Sequence, residues 1–263
     1  MERIESPNNS KLKMCASLHL KKNREKLGLF TVEGVRLCET AAASAWEKVM
    51  AVVTDELSEK PRVRAILDKL EAEGCPIYQV SGQLYRKAAA TVEPQGLLAV
   101  LRHRRAGLSD IPDRAGCIAV LDSVQDSGNV GSIIRTADAV GCNGVILLNG
   151  TADAFSDKTL RSAMGSVFHL PVVEGVSAPE LLNFCQERGI GLFSTALDAE
   201  AESIFSADYG TKKAFIFGNE GNGVSAELLQ NSHRLYIPMK GGTESLNVAA
   251  AAAVTLYSAF CRS

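Results

Sequence analysis

Asn129 and Arg135 stand six residues apart in the run Asn129-Val-Gly-Ser-Ile-Ile-Arg135. At ~100° per helical residue they fall on different azimuths, so Asn129 can look across strand ends while Arg135 projects from the helix side. A planar five-donor guanidinium suits a phosphate. The plain structural alternative is an ion pair with Asp138, three residues on. A second run, Phe217-Gly-Asn-Glu-Gly-Asn-Gly223, sets Glu220 among Gly218, Gly221 and Gly223. Those glycines let a backbone turn sharply and approach a ligand closely. The run is neither G-x-G-x-x-G nor G-x-x-x-x-G-K-[ST], so dinucleotide and P-loop chemistry lack a warrant. A third run, Ile237-Pro-Met-Lys-Gly-Gly-Thr-Glu-Ser-Leu-Asn-Val248, carries Ser245 and Asn247 where a helix begins. Ser245 is placed to cap that helix.

Each run follows an apolar, β-rich stretch. In open α/β sheets ligands bind outside the carboxyl ends of the strands. Three polar loops at three such ends therefore imply one composite site. The elements that position them alternate clearly: strands over 117–121, 145–148, 168–172, 191–195, 214–217 and 235–237, with helices over 130–140, 157–164, 178–188, 225–230 and 246–260. Gly141 is placed to close the first of those helices in the left-handed conformation. Continuous apolar strands alternating with helices mean a parallel sheet covered on both faces. Upstream, helices over 10–25, 34–45, 61–73 and 81–90 alternate with strands over 29–32, 48–54, 77–80 and 97–101, a smaller α/β unit. The charged stretch 103–115, with Gly107 and Pro112, reads as a linker between a domain at 1–102 and one at 116–263.

The net charge of −2 is divided unevenly: +4 over residues 1–115 and −6 over 116–263. The basic excess gathers at Lys11, Lys13, Lys21, Lys22, Arg24 and Lys26, and again at Arg102, Arg104 and Arg105. Such asymmetry points to a nucleic-acid-facing first half, against the commoner reading of a solvated helix face. The 7 cysteines are scattered without a C-x-x-C, which fits reduced thiols in a cytosolic chain. The 4 histidines show no ligand spacing, so no metal is expected. No apolar stretch approaches a membrane span or a secretory signal.

Taken in order and spacing, the three runs resemble the signature motifs of the SpoU/TrmH branch of the SPOUT RNA 2′-O-ribose methyltransferases. The resemblance covers 116–263, including Arg161-Ser-Ala-Met-Gly-Ser-Val-Phe-His-Leu-Pro171. Phe30-Thr-Val-Glu-Gly-Val-Arg36 and Gln95-Gly96 are similar to the family's small N-terminal α/β substrate-binding domain, a fold shared with RNA-binding ribosomal proteins. The resemblance implies a parallel-sheet catalytic domain with a deep trefoil knot, S-adenosylmethionine as cofactor and a homodimer. It implies catalytic roles for Asn129, Arg135, Glu220, Ser245 and Asn247. It implies cofactor contacts from Thr195, Ala196, Gly218, Asn219, Glu220, Gly221, Ile237, Pro238, Met239, Leu246 and Asn247. RNA contacts are expected from Lys11, Lys13, Lys21, Lys22, Arg24, Arg135 and Arg161. Ribosomal RNA is the preferred substrate and transfer RNA the alternative; a non-catalytic RNA-binding relative is the rival class. Ala249 departs from the family, in which a hydroxyl residue is frequent there.

Overall fold

The computed structural model describes residues 1–89, 93–114, 116–196, 200–243 and 245–261. The chain forms two compact units. The first comprises residues 1–104 together with 155–168; the second holds 105–154 and 169–263. Of the expected linker, 103–104 belong to the first unit and 105–114 to the second, while Ala115 lies outside the described residues.

In the first unit, β1 (Glu2–Arg3), α1 (Ser10–Ser17), α2 (Lys21–Leu27), β2 (Leu29–Glu33), α3 (Val35–Ala43) and β3 (Lys48–Thr54) come first. Then follow α4 (Asp55–Ser58), α5 (Pro61–Ala72), β4 (Ile77–Val80), α6 (Gly82–Ala88) and β5 (Leu97–Arg102). The sheet runs β1-β4-β3-β5-β2. The single helix expected over 10–25 is two helices. The Arg24 guanidinium donates to the carbonyls of Leu18 at 2.7 Å and His19 at 3.0 Å, which the break between the helices leaves without helical donors.

The second unit contributes β6 (Gly116–Leu121), α7 (Ser127–Ala139) and β7 (Gly144–Leu148). The chain then enters the first unit as α8 (Asp157–Ala163) and a single 3-10 turn (Ser166–Phe168). It returns as β8 (Val172–Val176), α9 (Ala178–Arg188), β9 (Gly191–Thr195), β10 (Glu202–Ser203), β11 (Lys212–Phe217), α10 (Ala226–Gln230), β12 (His233–Tyr236) and α11 (Val248–Phe260). All seven strands are parallel, in the order β10-β12-β9-β11-β6-β7-β8. Their apolar runs are buried through β7 and almost through β6 and β11, as double coverage requires. Ile118, Val120, Ile146, Ala214 and Ile216 pack beneath Leu181 and Cys185 of α9. Each Ile, Val or Leu side chain so buried contributes about 1.5–3 kcal/mol.

The strand expected over 168–172 is displaced. Pro171 carries no donor, and the strand begins beyond it at Val172. Phe168 instead joins an aromatic cluster of the first unit, 5.5 Å from the Trp46 ring and 6.4 Å from that of Phe30. Phe155, at the other end of the inserted segment, lies 5.1 Å from Phe30. The segment is also held by charge. Asp157 accepts from His19 Nδ1 at 3.1 Å and from Thr31 at 3.3 Å, while His19 Nε2 faces the Ala88 carbonyl at 3.1 Å. With an acceptor at each ring nitrogen the imidazolium is favoured. The Asp157 hydrogen bond raises the His19 pKa against the opposing effect of burial; Asp157's charge, the Ala88 carbonyl and Glu33 add to the rise.

Candidate active site

The strand registers set the three loops level. Ser194 pairs with Ile216 and with Arg234, so Ala196, Gly218 and Tyr236 share one row at the carboxyl edge. Leu121 pairs with Phe217, which brings the loop after β6 beside the loop after β11.

Across that edge runs a chain of three side chains. Asn247 caps α11, its Oδ1 accepting from the backbone N–H of Ala249 at 2.9 Å and Ala250 at 3.4 Å. That fixes the amide, because the cap needs an oxygen. Asn247 Nδ2 is thereby turned outward and donates to Asn129 Oδ1 at 3.1 Å. Asn129 Nδ2 in turn donates to Glu220 Oε1 at 2.9 Å. The carboxylate also accepts from the backbone N–H of Gln125 and Asp126, each at 3.2 Å. Partial desolvation pushes the Glu220 carboxyl up. The Asn129 donor and the N–H groups of Glu220 itself, Gln125 and Asp126 outweigh it, and the carboxyl titrates below its ordinary value.

Two supports were not foreseen. Asp126 caps α7 through Gly128 N at 2.7 Å and Asn129 N at 3.0 Å, so the helix starts three residues before the expected 130. An Asp just ahead of the periodic run is the signal that marks such a start. Asn219, expected at the cofactor, spends its side chain inside the protein. Its Nδ2 donates to Ser123 O at 2.9 Å, and its Oδ1 accepts from Gly221 N at 2.9 Å and Asn222 N at 3.0 Å.

The fold of its own loop already requires a glycine at Gly218. A Cβ there would stand 2.1 Å from Gly223 C and 2.2 Å from Val224 N. The turn is closed by paired backbone bonds between Asn219 and Gly223, both 2.9 Å.

Ser245 lies exposed and outside the three-residue chain; the capping role expected of it belongs to Asn247. Arg135 is exposed and also stands apart from that chain. Nor does it pair with Asp138, which binds His169 Nδ1 at 2.8 Å. The expected cofactor residues fit a flat, partly apolar group with polar edges. Ile237 and Met239 are half-buried, Pro238 and Leu246 exposed, and Thr195 and Ala196 half-buried at the end of β9. Among the described residues no group of His, Cys, Asp or Glu is placed to hold a metal, and no helix is long and apolar enough to cross a membrane.

In the first unit the basic set is smaller than the sequence promised. Arg24 is buried and committed to carbonyls, which removes it as a phosphate contact. Lys11 sits over the Tyr78 ring, 4.3 Å from its centroid. Lys21 lies 4.0 Å from Glu25. Lys13 and Lys22 are exposed, as is Arg161 in the last turn of α8.

Residues 116–257 match the SpoU rRNA Methylase family, and residues 9–99 match the MRM3-like substrate binding domain. The chain is 39% identical over 260 residues to the 23S rRNA (guanosine(2553)-2′-O)-methyltransferase RlmP of Bacillus subtilis, covering 98% of each. It is 31% identical to the 23S rRNA (uridine(2479)-2′-O)-methyltransferase of Streptomyces viridochromogenes, over 98% of this chain and 91% of the other. The crystal structure of an AdoMet-bound rRNA methyltransferase from Sinorhizobium meliloti superposes with a TM-score of 0.89 at 30% identity, covering 99% of this chain and 98% of that one.

Proposed function

The chain belongs to the SpoU rRNA methylase family, and from that premise we propose that it methylates a ribose 2′-hydroxyl of ribosomal RNA. The observation that carries the proposal is the chain from Glu220 through Asn129 to Asn247, which ties the three motif loops together at one sheet edge. Ala196, Gly218, Ile237, Met239 and Leu246, in the loops after β9, β11 and β12, would hold S-adenosylmethionine, which would supply a methyl group already activated on a sulfonium. The protein's own work is then alignment and one proton. Alignment of reacting atoms is worth several kcal/mol, up to about 7–11 in ideal intramolecular cases. Glu220, kept anionic by its donors, and the two asparagines hold the loops that set it.

Arg135 stays charged, as a guanidinium does. It grips an RNA phosphate and stabilises the developing alkoxide, while a phosphate oxygen or water receives the hydroxyl proton. Ser245 stands beside Asn247 in the same loop and completes the catalytic set. Lys13 and Lys22, with Lys21 and Arg161, extend the RNA grip. A homodimer and the trefoil knot complete the reading, in the cytoplasm where ribosomal RNA is found. For the dimer, α11 offers exposed Val254, Tyr257 and Phe260 beside a run of alanines. Light scattering that finds a monomer at micromolar concentration would count heavily against it.

The test of the activity is methyl transfer from labelled S-adenosylmethionine to ribosomal RNA, with ribose methylation mapped in deletion and wild-type cells. Arg135→Ala should abolish transfer while calorimetry finds cofactor binding unchanged. Wild-type turnover by that variant would remove Arg135 from the mechanism.

A further inference from the structure

Three loops meet at Ser123. Its φ is +59°, and Met164 is the other described non-glycine residue with positive φ. An L-residue other than Asn or Asp enters that region at a cost, and it stays there only where its surroundings over-determine it. Here they do. The Ser123 N–H donates to Thr151 Oγ1 at 3.1 Å, and Thr151 is itself anchored to Leu121 O at 2.9 Å. The single hydroxyl proton is shared between Asp122 Oδ1 at 3.3 Å and Asn149 O at 3.4 Å. The carbonyl accepts from Asn219 Nδ2 at 2.9 Å. Gly150 leaves room for this contact, since a Cβ there would lie 3.1 Å from the Ser123 hydroxyl. All three polar groups of one residue thus bind the loops that follow β6, β7 and β11.

The consequence lies two and three residues further along. The left-handed turn at Ser123 redirects the chain before Gln125 and Asp126, whose N–H groups grip the Glu220 carboxylate. Asn219 holds the carbonyl at one end of this short stretch, and its neighbour Glu220 holds the N–H groups at the other. The two loops are clamped at two points, and the first point is Ser123.

Resting on the methyltransferase reading, we propose that Ser123 is a positioning residue of the site: its left-handed backbone aims the N–H groups that orient Glu220. It touches no reacting atom and acts through that carboxylate. Asp122 forms the second layer of the same support, its Oδ2 accepting from Ser225 N at 2.7 Å across the cleft between the loops after β6 and β11.

The test uses the full-length protein and three variants. Ser123→Val places a β-branched residue where φ is positive; Ser123→Asn keeps a side chain that tolerates that backbone. Thr151→Val removes the acceptor of the Ser123 N–H while preserving shape. The Glu220 carboxyl is followed by 13C NMR titration without cofactor or RNA, and kcat, KM and the pH profile are measured with both. Ser123→Val and Thr151→Val should move the Glu220 titration to higher pH, because N–H donors are lost. In Ser123→Val, kcat should fall by about 100-fold, the penalty of a 1 Å misplacement, with KM for the cofactor nearly unchanged. Ser123→Asn should restore both titration and kcat. If Ser123→Val does not fold, the Thr151→Val titration decides. An unmoved Glu220 titration in Thr151→Val, or in a folded Ser123→Val, overturns the inference whatever the activity. A wild-type protein that transfers no methyl group to ribosomal RNA overturns the functional reading instead, and the titration still answers for Ser123.

Discussion

Replacing Asn129 by Asp exchanges one heavy atom, the amide nitrogen for an oxygen, and reverses one contact. The substituted carboxylate still accepts from Asn247 Nδ2, so the link to α11 survives. Toward Glu220, a donor 2.9 Å away becomes a like charge. Two unit charges at that distance repel by roughly 1.4 kcal/mol in water and about 6 kcal/mol at an effective dielectric of 20. Glu220 is exposed, so the lower end applies. The lost hydrogen bond to a charged group adds about 1.5–3 kcal/mol. At the lower end of both ranges these come to roughly 3 kcal/mol, or about 100-fold in the population of the aligned site. Single-turnover methyl transfer by Asn129→Asp should therefore fall by about two orders of magnitude. Part of the rate should return as pH falls and one carboxyl of the pair takes a proton, a recovery that Asn129→Ala cannot show. If Asn129→Asp runs within threefold of wild type, or loses rate without any recovery in acid, the Asn129–Glu220 contact does not carry the alignment.

Gly218→Ala should destabilise by about 1–3 kcal/mol, because the added methyl meets backbone that cannot step aside; an unchanged urea midpoint would contradict that geometry. The His19–Asp157 pair should show the pH dependence of a raised histidine. Its contribution is full below the ordinary histidine value and fades as pH rises through the raised one, so Asp157→Asn should lower the urea midpoint more at pH 6 than at pH 9. Equal losses at both would refute the charged pair. Lys13→Gln with Lys22→Gln should reduce the log–log salt slope of RNA binding by about 0.7–0.9 per lost contact. Arg24→Gln should leave that slope alone and cost about 1.5–3 kcal/mol of stability, since buried carbonyls lose their donor. A flattened slope in Arg24→Gln would return that residue to the RNA face.

The strands of the second unit were legible because their apolar runs have only one use, burial between two helix layers. The expected and observed strand bounds agree at 191–195 and differ by one or two residues elsewhere, apart from the strand expected over 168–172 and found at Val172–Val176. There, apolar Phe168 looks like a strand residue, and only tertiary packing sends it to Trp46. The juxtaposition of Asn129, Glu220 and Asn247 was foreseen as three loops at one edge. Which atoms meet was not, because an amide's orientation depends on the cap that Asn247 makes. Ser245 and Asn247 are equally good caps by type, and the start of α11 at Val248 decides between them. Arg24 shares a charge run with Lys22, and nothing in that run says which cation faces inward. The left-handed turn at Ser123 has no sequence mark at all, since serine rarely adopts it.

The detour of residues 155–168 into the first unit has a bearing on how the protein is born. At about 5–20 residues per second, roughly 3–13 s of translation separate the exit of Arg104 from that of Phe168. During that interval the nascent first half lacks Phe155, Asp157 and Phe168, so Phe30 and Trp46 await two rings and His19 awaits its anion. The first unit is thus begun first yet completed only after β6, α7 and β7 have been made. A ribosome-bound chain stalled at residue 104 should be open to protease near Trp46, where one stalled well past residue 168 is closed.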